Sequence, residues 1–137
     1  MRLNQKSGFT LLEIIIVIII VGVLASLALP RFFSTVEFSR STEALASMSS
    51  IRGSVERCYL AQGGTYAGCT MGVVDIANPG SSPGANFTYL ITTAAAAYTI
   101  QARRDTLSGG DGTSQIFLRQ DNNGVTRSGT GTFVGIK

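Results

Sequence analysis

Apolar residues run almost without a break from Phe9 to Leu29, FTLLEIIIVIIIVGVLASLAL, and the pattern then changes twice before the C-terminus. A helix rising about 1.5 Å per residue needs about 20 residues to cross a hydrocarbon layer of about 30 Å, and this run is long enough. Its many β-branched residues would also suit a buried strand, but a strand of that length would be unusual. A membrane-spanning helix is therefore expected over 9–29. From Arg31 to about Ala61 the character becomes amphipathic: Leu45, Met48, Ile51, Val55 and Cys58 recur at steps of three or four, one apolar stripe along the same long helix.

After that stripe the period is lost. Residues 62–86 carry GGTYAGC and NPGSSPG, a density of Gly, Pro, Ser and Asn that marks turns, with Tyr66 as an anchor for the loop. Beyond Asn86 the pattern alternates at period two. Phe87, Tyr89 and Ile91 form one set, Tyr98, Ile100 and Ala102 a second, and Ile116 and Leu118 a third. Asp121-Asn122-Asn123-Gly124 predicts a tight turn into a short strand around Val125-Thr126-Arg127. The expected fold class is α+β: a long N-terminal helix, hydrophobic in its first half and amphipathic in its second, packed on a small C-terminal antiparallel sheet of three or four strands.

Glu13 interrupts the apolar run. A carboxylate among Leu and Ile in lipid must find a cation, take up a proton, or cost several kcal/mol. Either it sits near one end of the span and reaches headgroup water, or it meets a positive partner supplied by another copy of the chain. Gly22 and Pro30 are weak points of the helix, since glycine is a poor helix former and proline removes a hydrogen bond. Met1 to Gly8 carries Arg2 and Lys6 and places its small residues before the apolar run. A secretory signal peptide has the reverse order.

The string Gly8-Phe9-Thr10-Leu11-Leu12-Glu13, with a basic leader before it and a long apolar helix after, resembles the prepilin-peptidase site of type IV pilins and the related pseudopilins. Close resemblance covers about Lys6 to Phe33. It implies cleavage between Gly8 and Phe9, methylation of the new Phe9 amine, and pairing of Glu13 with the amine of a neighbouring subunit. It also implies that the helix kinks or melts between Gly22 and Pro30 when subunits pack. The expected organisation is a cleaved leader at 1–8, a transmembrane and filament-core helix at 9–29, its amphipathic continuation at 30–61, an αβ loop at 62–86, and the sheet with a C-terminal loop at 87–137. The partners it implies are copies of the chain itself, prepilin peptidase, the pilus assembly machinery, and the bacterial inner membrane before export to an extracellular pilus. A pseudopilin of a type II secretion system and a DNA-binding minor pilin are the alternatives.

Composition and charge refine this picture. Without its leader the chain loses Arg2 and Lys6, so the formal side-chain charge falls from +3 to +1. The pI of about 9.2 is then no argument for nucleic acid. In an exported domain the two cysteines, Cys58 and Cys69, are expected to pair, which closes a short loop and stabilises by about 3 kcal/mol on a chain-entropy argument. There is no His, so no Ser-His-Asp or Cys-His arrangement can be written, and two sulfurs alone make a poor zinc site. No catalytic, cofactor or metal residue is expected. Asp111, Asp121 and Asn123 offer loop oxygens, but their spacing does not match an EF-hand, and the calcium loop usual in major pseudopilins has no clear counterpart here. Asn86-Phe87-Thr88 matches a glycosylation pattern that is common by chance. DNA is the weakest of the partners: it would need Arg103, Arg119 and Arg127 on one sheet face, where a solvated outer face is the simpler reading.

Overall fold

The computed structural model describes residues 8–137 and divides into two units, one ending at Val36 and the other spanning Glu37–Lys137. One helix, α1 (Leu11–Ala61), contributes to both. The leader expected at 1–8 lies, apart from Gly8, outside the described residues.

In the first unit α1 is capped by Thr10. Its Oγ1 accepts the Glu13 N–H at 3.3 Å, and its carbonyl accepts the Ile14 N–H at 3.3 Å, so two donors of the first turn are satisfied. The helix then runs unbroken through Gly22 and Pro30. Every large apolar side chain from Phe9 to Leu29 is exposed, Ile15 least at 39%. A window of 18 residues within α1 has a mean hydropathy of 3.0 with none of it buried, enough by length and composition to cross a membrane.

The second unit has the expected α+β architecture, with strands β1 (Phe87–Thr93), β2 (Tyr98–Arg104), β3 (Gln115–Asp121) and β4 (Gly124–Thr130) in that spatial order and antiparallel throughout. Alternation places Phe87, Tyr89, Ile91, Tyr98, Ile100, Ala102, Ile116 and Leu118 on one buried face. Registers such as Ile91↔Ile100 and Ile100↔Leu118 make these side chains cross-strand neighbours. Against them α1 buries Ser41, Ala44, Met48, Ile51, Ser54 and Val55.

That helical face differs from the expected stripe at its margins. Leu45 and Cys58 are only half-buried, while the small residues Ser41, Ala44 and Ser54 lie inside. Small side chains let the sheet approach the helix, so hydrophobicity alone misplaces the centre of the stripe by about one position. The 62–86 segment is also more than a linker. It buries Tyr66, Cys69 and Val74 and packs Met71 and Ile76 against the core. A short 3-10 turn at Pro79–Ser81, capped by Asn78 Oδ1 accepting the Gly80 N–H at 2.9 Å, delivers the chain to β1.

Candidate assembly site

Gly8 and Phe9 precede the first helical turn, and the Phe9 ring is 79% exposed. Glu13 lies in the first turn of α1, where a carboxylate also complements the positive end of the helix dipole. The Thr10 cap fixes where the helix starts, and hence the spacing between the Phe9 backbone nitrogen and the Glu13 side chain. This end of the chain thus offers an exposed Gly-Phe junction, one carboxylate and an uncovered apolar cylinder.

The second unit builds its polar contacts inward. Arg104, at the end of β2, is 1% exposed and donates from Nε and Nη2 to Glu37 at 2.8 and 3.2 Å, from Nη1 to the Asn86 carbonyl at 2.7 Å, and from Nη2 to the Ser108 carbonyl at 3.2 Å. Its guanidinium also lies 5.6 Å from the centre of the Phe87 ring. Arg104's hydrogen bonds hold the Glu37 carboxyl below the usual carboxylate range, against the opposing effect of burial, and Arg40 adds a second ion pair at 2.7 Å. Glu56 accepts from Tyr66 at 3.0 Å and from Tyr98 at 2.9 Å. Burial and that carboxylate push the Tyr66 phenol up to about 12 and raise Tyr98 further. Tyr59, Tyr66 and Tyr98 pack successively, the first pair tilted and the second edge-to-face, with ring centres 4.4 and 4.8 Å apart.

Cys58 and Cys69 form a disulfide with Cα atoms 5.9 Å apart, tying the last turn of α1 to the loop that follows. On the exposed side of the same turn Arg57 grips Asp75 through two hydrogen bonds of 2.7 and 2.8 Å, which hold the Asp75 carboxyl down to about 2.

The three arginines singled out for DNA do not share a face. Arg103 and Arg119 lie on the outer face with Gln101, Gln115 and Phe117, but Arg127 is the register partner of Leu118 and so belongs to the opposite face. Arg104, next to them in sequence, is the buried partner of Glu37. Asp111 turns its carboxylate inward: Oδ1 accepts the Thr113 and Ser114 N–H groups at 3.0 and 2.8 Å, and Oδ2 accepts the Ser114 hydroxyl at 2.6 Å. These bonds hold it well below the usual carboxylate range. The Asn86 amide donates to Glu43 at 2.8 Å. Glu37 and Glu56 were not foreseen as pairing residues. Charged positions beside an apolar stripe, facing a strand that carries Arg or Tyr, are the signal that could have found them.

The helix-on-sheet arrangement of the second unit is a pilin-like α+β arrangement. Comparison with known proteins agrees: residues 3–29 match the prokaryotic N-terminal methylation motif. The chain is 32% identical over 57 residues to the type IV major fimbrial protein FimA of Dichelobacter nodosus, covering 42% of this chain and 36% of that one. A probable minor fimbrial protein of the same organism is 41% identical over 56 residues, 41% of this chain and 35% of its own. The type II secretion system core protein G of Pseudomonas aeruginosa is 36% identical over 56 residues, 41% of this chain and 39% of its own. The matched part therefore spans little more than a third of the length of these curated relatives. No solved structure matches the chain significantly.

Proposed function

We propose that this chain is a prepilin, cleaved between Gly8 and Phe9 and methylated on Phe9, whose mature form polymerises through its apolar helix into an extracellular type IV pilus. The observation that carries the reading is the uncovered apolar helix with a single carboxylate, Glu13, in its first turn, directly after the Gly8-Phe9 junction. Before assembly the bacterial inner membrane covers that surface; afterwards, copies of the same helix do. In a dry filament core the Glu13 carboxylate and a neighbour's Phe9 amine would each be costly alone and compensate as a pair. Gly22 and Pro30 are where α1 would unwind as neighbouring helices crowd it, because glycine is the poorest ordinary helix former and proline lacks its hydrogen bond. Prepilin peptidase and the pilus assembly machinery are the partners this sequence of events requires.

A second reading, a subunit of a short type II secretion filament, draws on the similarity to core protein G. It uses the same cleavage and the same Glu13 pairing and differs in where the polymer ends. The test is filament microscopy combined with intact mass of the filament protein, for wild type and for Glu13→Ala, Glu13→Gln and Glu13→Asp. The proposal requires long surface filaments whose subunit begins at Phe9 and carries one added methyl group. Ala and Gln at position 13 should abolish filaments while processed subunit persists in the membrane, since an unpaired buried partner costs about 3–5 kcal/mol. Asp should be intermediate. Filaments at normal number with Glu13→Ala would refute the pairing. Short periplasmic polymers in place of surface fibres would favour the secretion reading.

A further inference from the structure

Within the second unit the most exposed large apolar side chain is Leu107, at 94%. It stands in the β2–β3 loop beside Ser108, whose carbonyl accepts from Arg104, the partner of Glu37. Leu107 is therefore a projecting side chain at the end of the unit where α1 enters. At the other end of that helical segment a shallow groove of about 280 Å³ lies between the last turns of α1 and the following loop, with Cys58, Ala61 and the exposed Val73 in its walls and Arg57 and Asp75 on its rim. Glu37 and Arg57 are twenty residues apart on one helix. The projection and the groove are thus separated by about 30 Å along the helix axis.

We infer that Leu107 of one copy seats in the Cys58–Ala61–Val73 groove of another copy displaced along the helix axis, a head-to-tail contact that rests on the polymer reading above. Two different patches that meet by translation generate an open array rather than a closed dimer, which is the geometry a filament needs. Beside each patch one side-chain polar atom is unspent. Arg57 spends Nε and Nη2 on Asp75 and Ser54, and its Nη1 makes no hydrogen bond among the described residues. Next to Leu107, Asp105 uses only Oδ1, accepting the Leu107 N–H at 3.2 Å, and its Oδ2 likewise makes none. A seated Leu107 brings that free carboxylate oxygen toward the free guanidinium nitrogen.

The test places a benzophenone amino acid at position 107 of the full-length chain, irradiates filament-bearing cells, and maps the adducts by mass spectrometry. The expected result is a ladder of cross-linked copies with the adduct in Ser54–Gln62 or Val73–Asp75, absent when the probe sits at the exposed outer-face position Thr126. Leu107→Asp should lower filament number about tenfold or more, as loss of one buried leucine per contact implies, and leave the Cys58–Cys69 disulfide intact. Abundant filaments with adducts elsewhere on a second copy, or only within the same copy, would overturn the contact and leave polymerisation standing. Absence of filaments from the wild type would refute the polymer reading and this contact together.

Discussion

Replacing Glu37 by Ala should destabilise the second unit more than any other single loss of a surface carboxylate. Arg104 is fully enclosed, whereas the Glu37 side chain keeps 26% of its exposure. The substitution removes two of the four hydrogen bonds that Arg104 donates and its counter-charge, while the Asn86 and Ser108 carbonyls remain. Breaking a fully buried ion pair costs about 3–5 kcal/mol, and partial access of water to the vacated position lowers that to about 2–3 kcal/mol. For a unit of this size such a loss shifts the thermal midpoint by roughly 10–20 °C. Glu37→Gln keeps an acceptor for Arg104 without the charge and should fall between. The control is Glu43→Ala, which removes an exposed bond to Asn86 and should cost less than about 1 kcal/mol. Thermal and urea unfolding of the detergent-solubilised chain, followed by far-ultraviolet circular dichroism, measures all three. A loss for Glu37→Ala no larger than that of the Glu43→Ala control would mean that water rescues Arg104 and that the enclosed pair does not hold helix to sheet.

Removing the disulfide by Cys58→Ala with Cys69→Ala should lower stability by about 3 kcal/mol, since the bridge closes a short loop, and equilibrium unfolding reports it directly. Stability should also fall at both extremes of pH. Glu37, Asp75 and Asp111 all titrate below their ordinary range in the folded chain, so the unfolded chain takes up protons first. Their contribution is present above about pH 4 and is lost as pH drops through the lowered values. Tyr66 and Tyr98 are raised, so their contribution is complete below about pH 10 and disappears as pH climbs toward and past the folded value, about 12 for Tyr66. A urea midpoint measured from pH 2 to 12 should be flat between those limits, and a steady slope through neutrality would contradict the assignment.

The two periods of the sequence carry most of the fold. The apolar run, the step of three and four to Cys58, and the alternation from Phe87 onward are local signals; the first persists as the uncovered early part of α1, and the other two survive in α1 and β1–β3 because burial enforces them. What is not legible is set by packing partners distant in the chain. Nothing near Arg104 announces that its neighbour is Glu37, 67 positions away. Nor does the turn-rich composition of 62–86, in which Tyr66 stands out as an anchor, announce that Cys69 and Val74 also complete the core. The separation of Arg127 from Arg103 and Arg119 is a middle case. The turn that pairs Asp121 with Gly124 ties odd positions of β3 to even positions of β4, so Arg119 faces Thr126 and Arg127 turns to the other side. The turn is visible in the sequence, and following its register would have ruled out a three-arginine face. At the start of α1, Gly8-Phe9 and the one carboxylate of the apolar run, Glu13, are visible in the sequence, whereas the Thr10 cap appears only with the helix start.

The Arg104 contact also has a mechanical side. If the chain polymerises as proposed, traction on the polymer pulls on α1, and by chain connectivity that force enters the second unit at Glu37, its first residue. There the load meets a fork of hydrogen bonds from the end of β2. Force along a helix axis loads such cross-links in shear, all at once, instead of peeling them one by one as would happen if the attachment lay at a free edge. The far end of the helical segment is riveted covalently through Cys58 and Cys69. With the helix fastened at its entry and again at its last turn, the segment between resists being drawn out of the sheet.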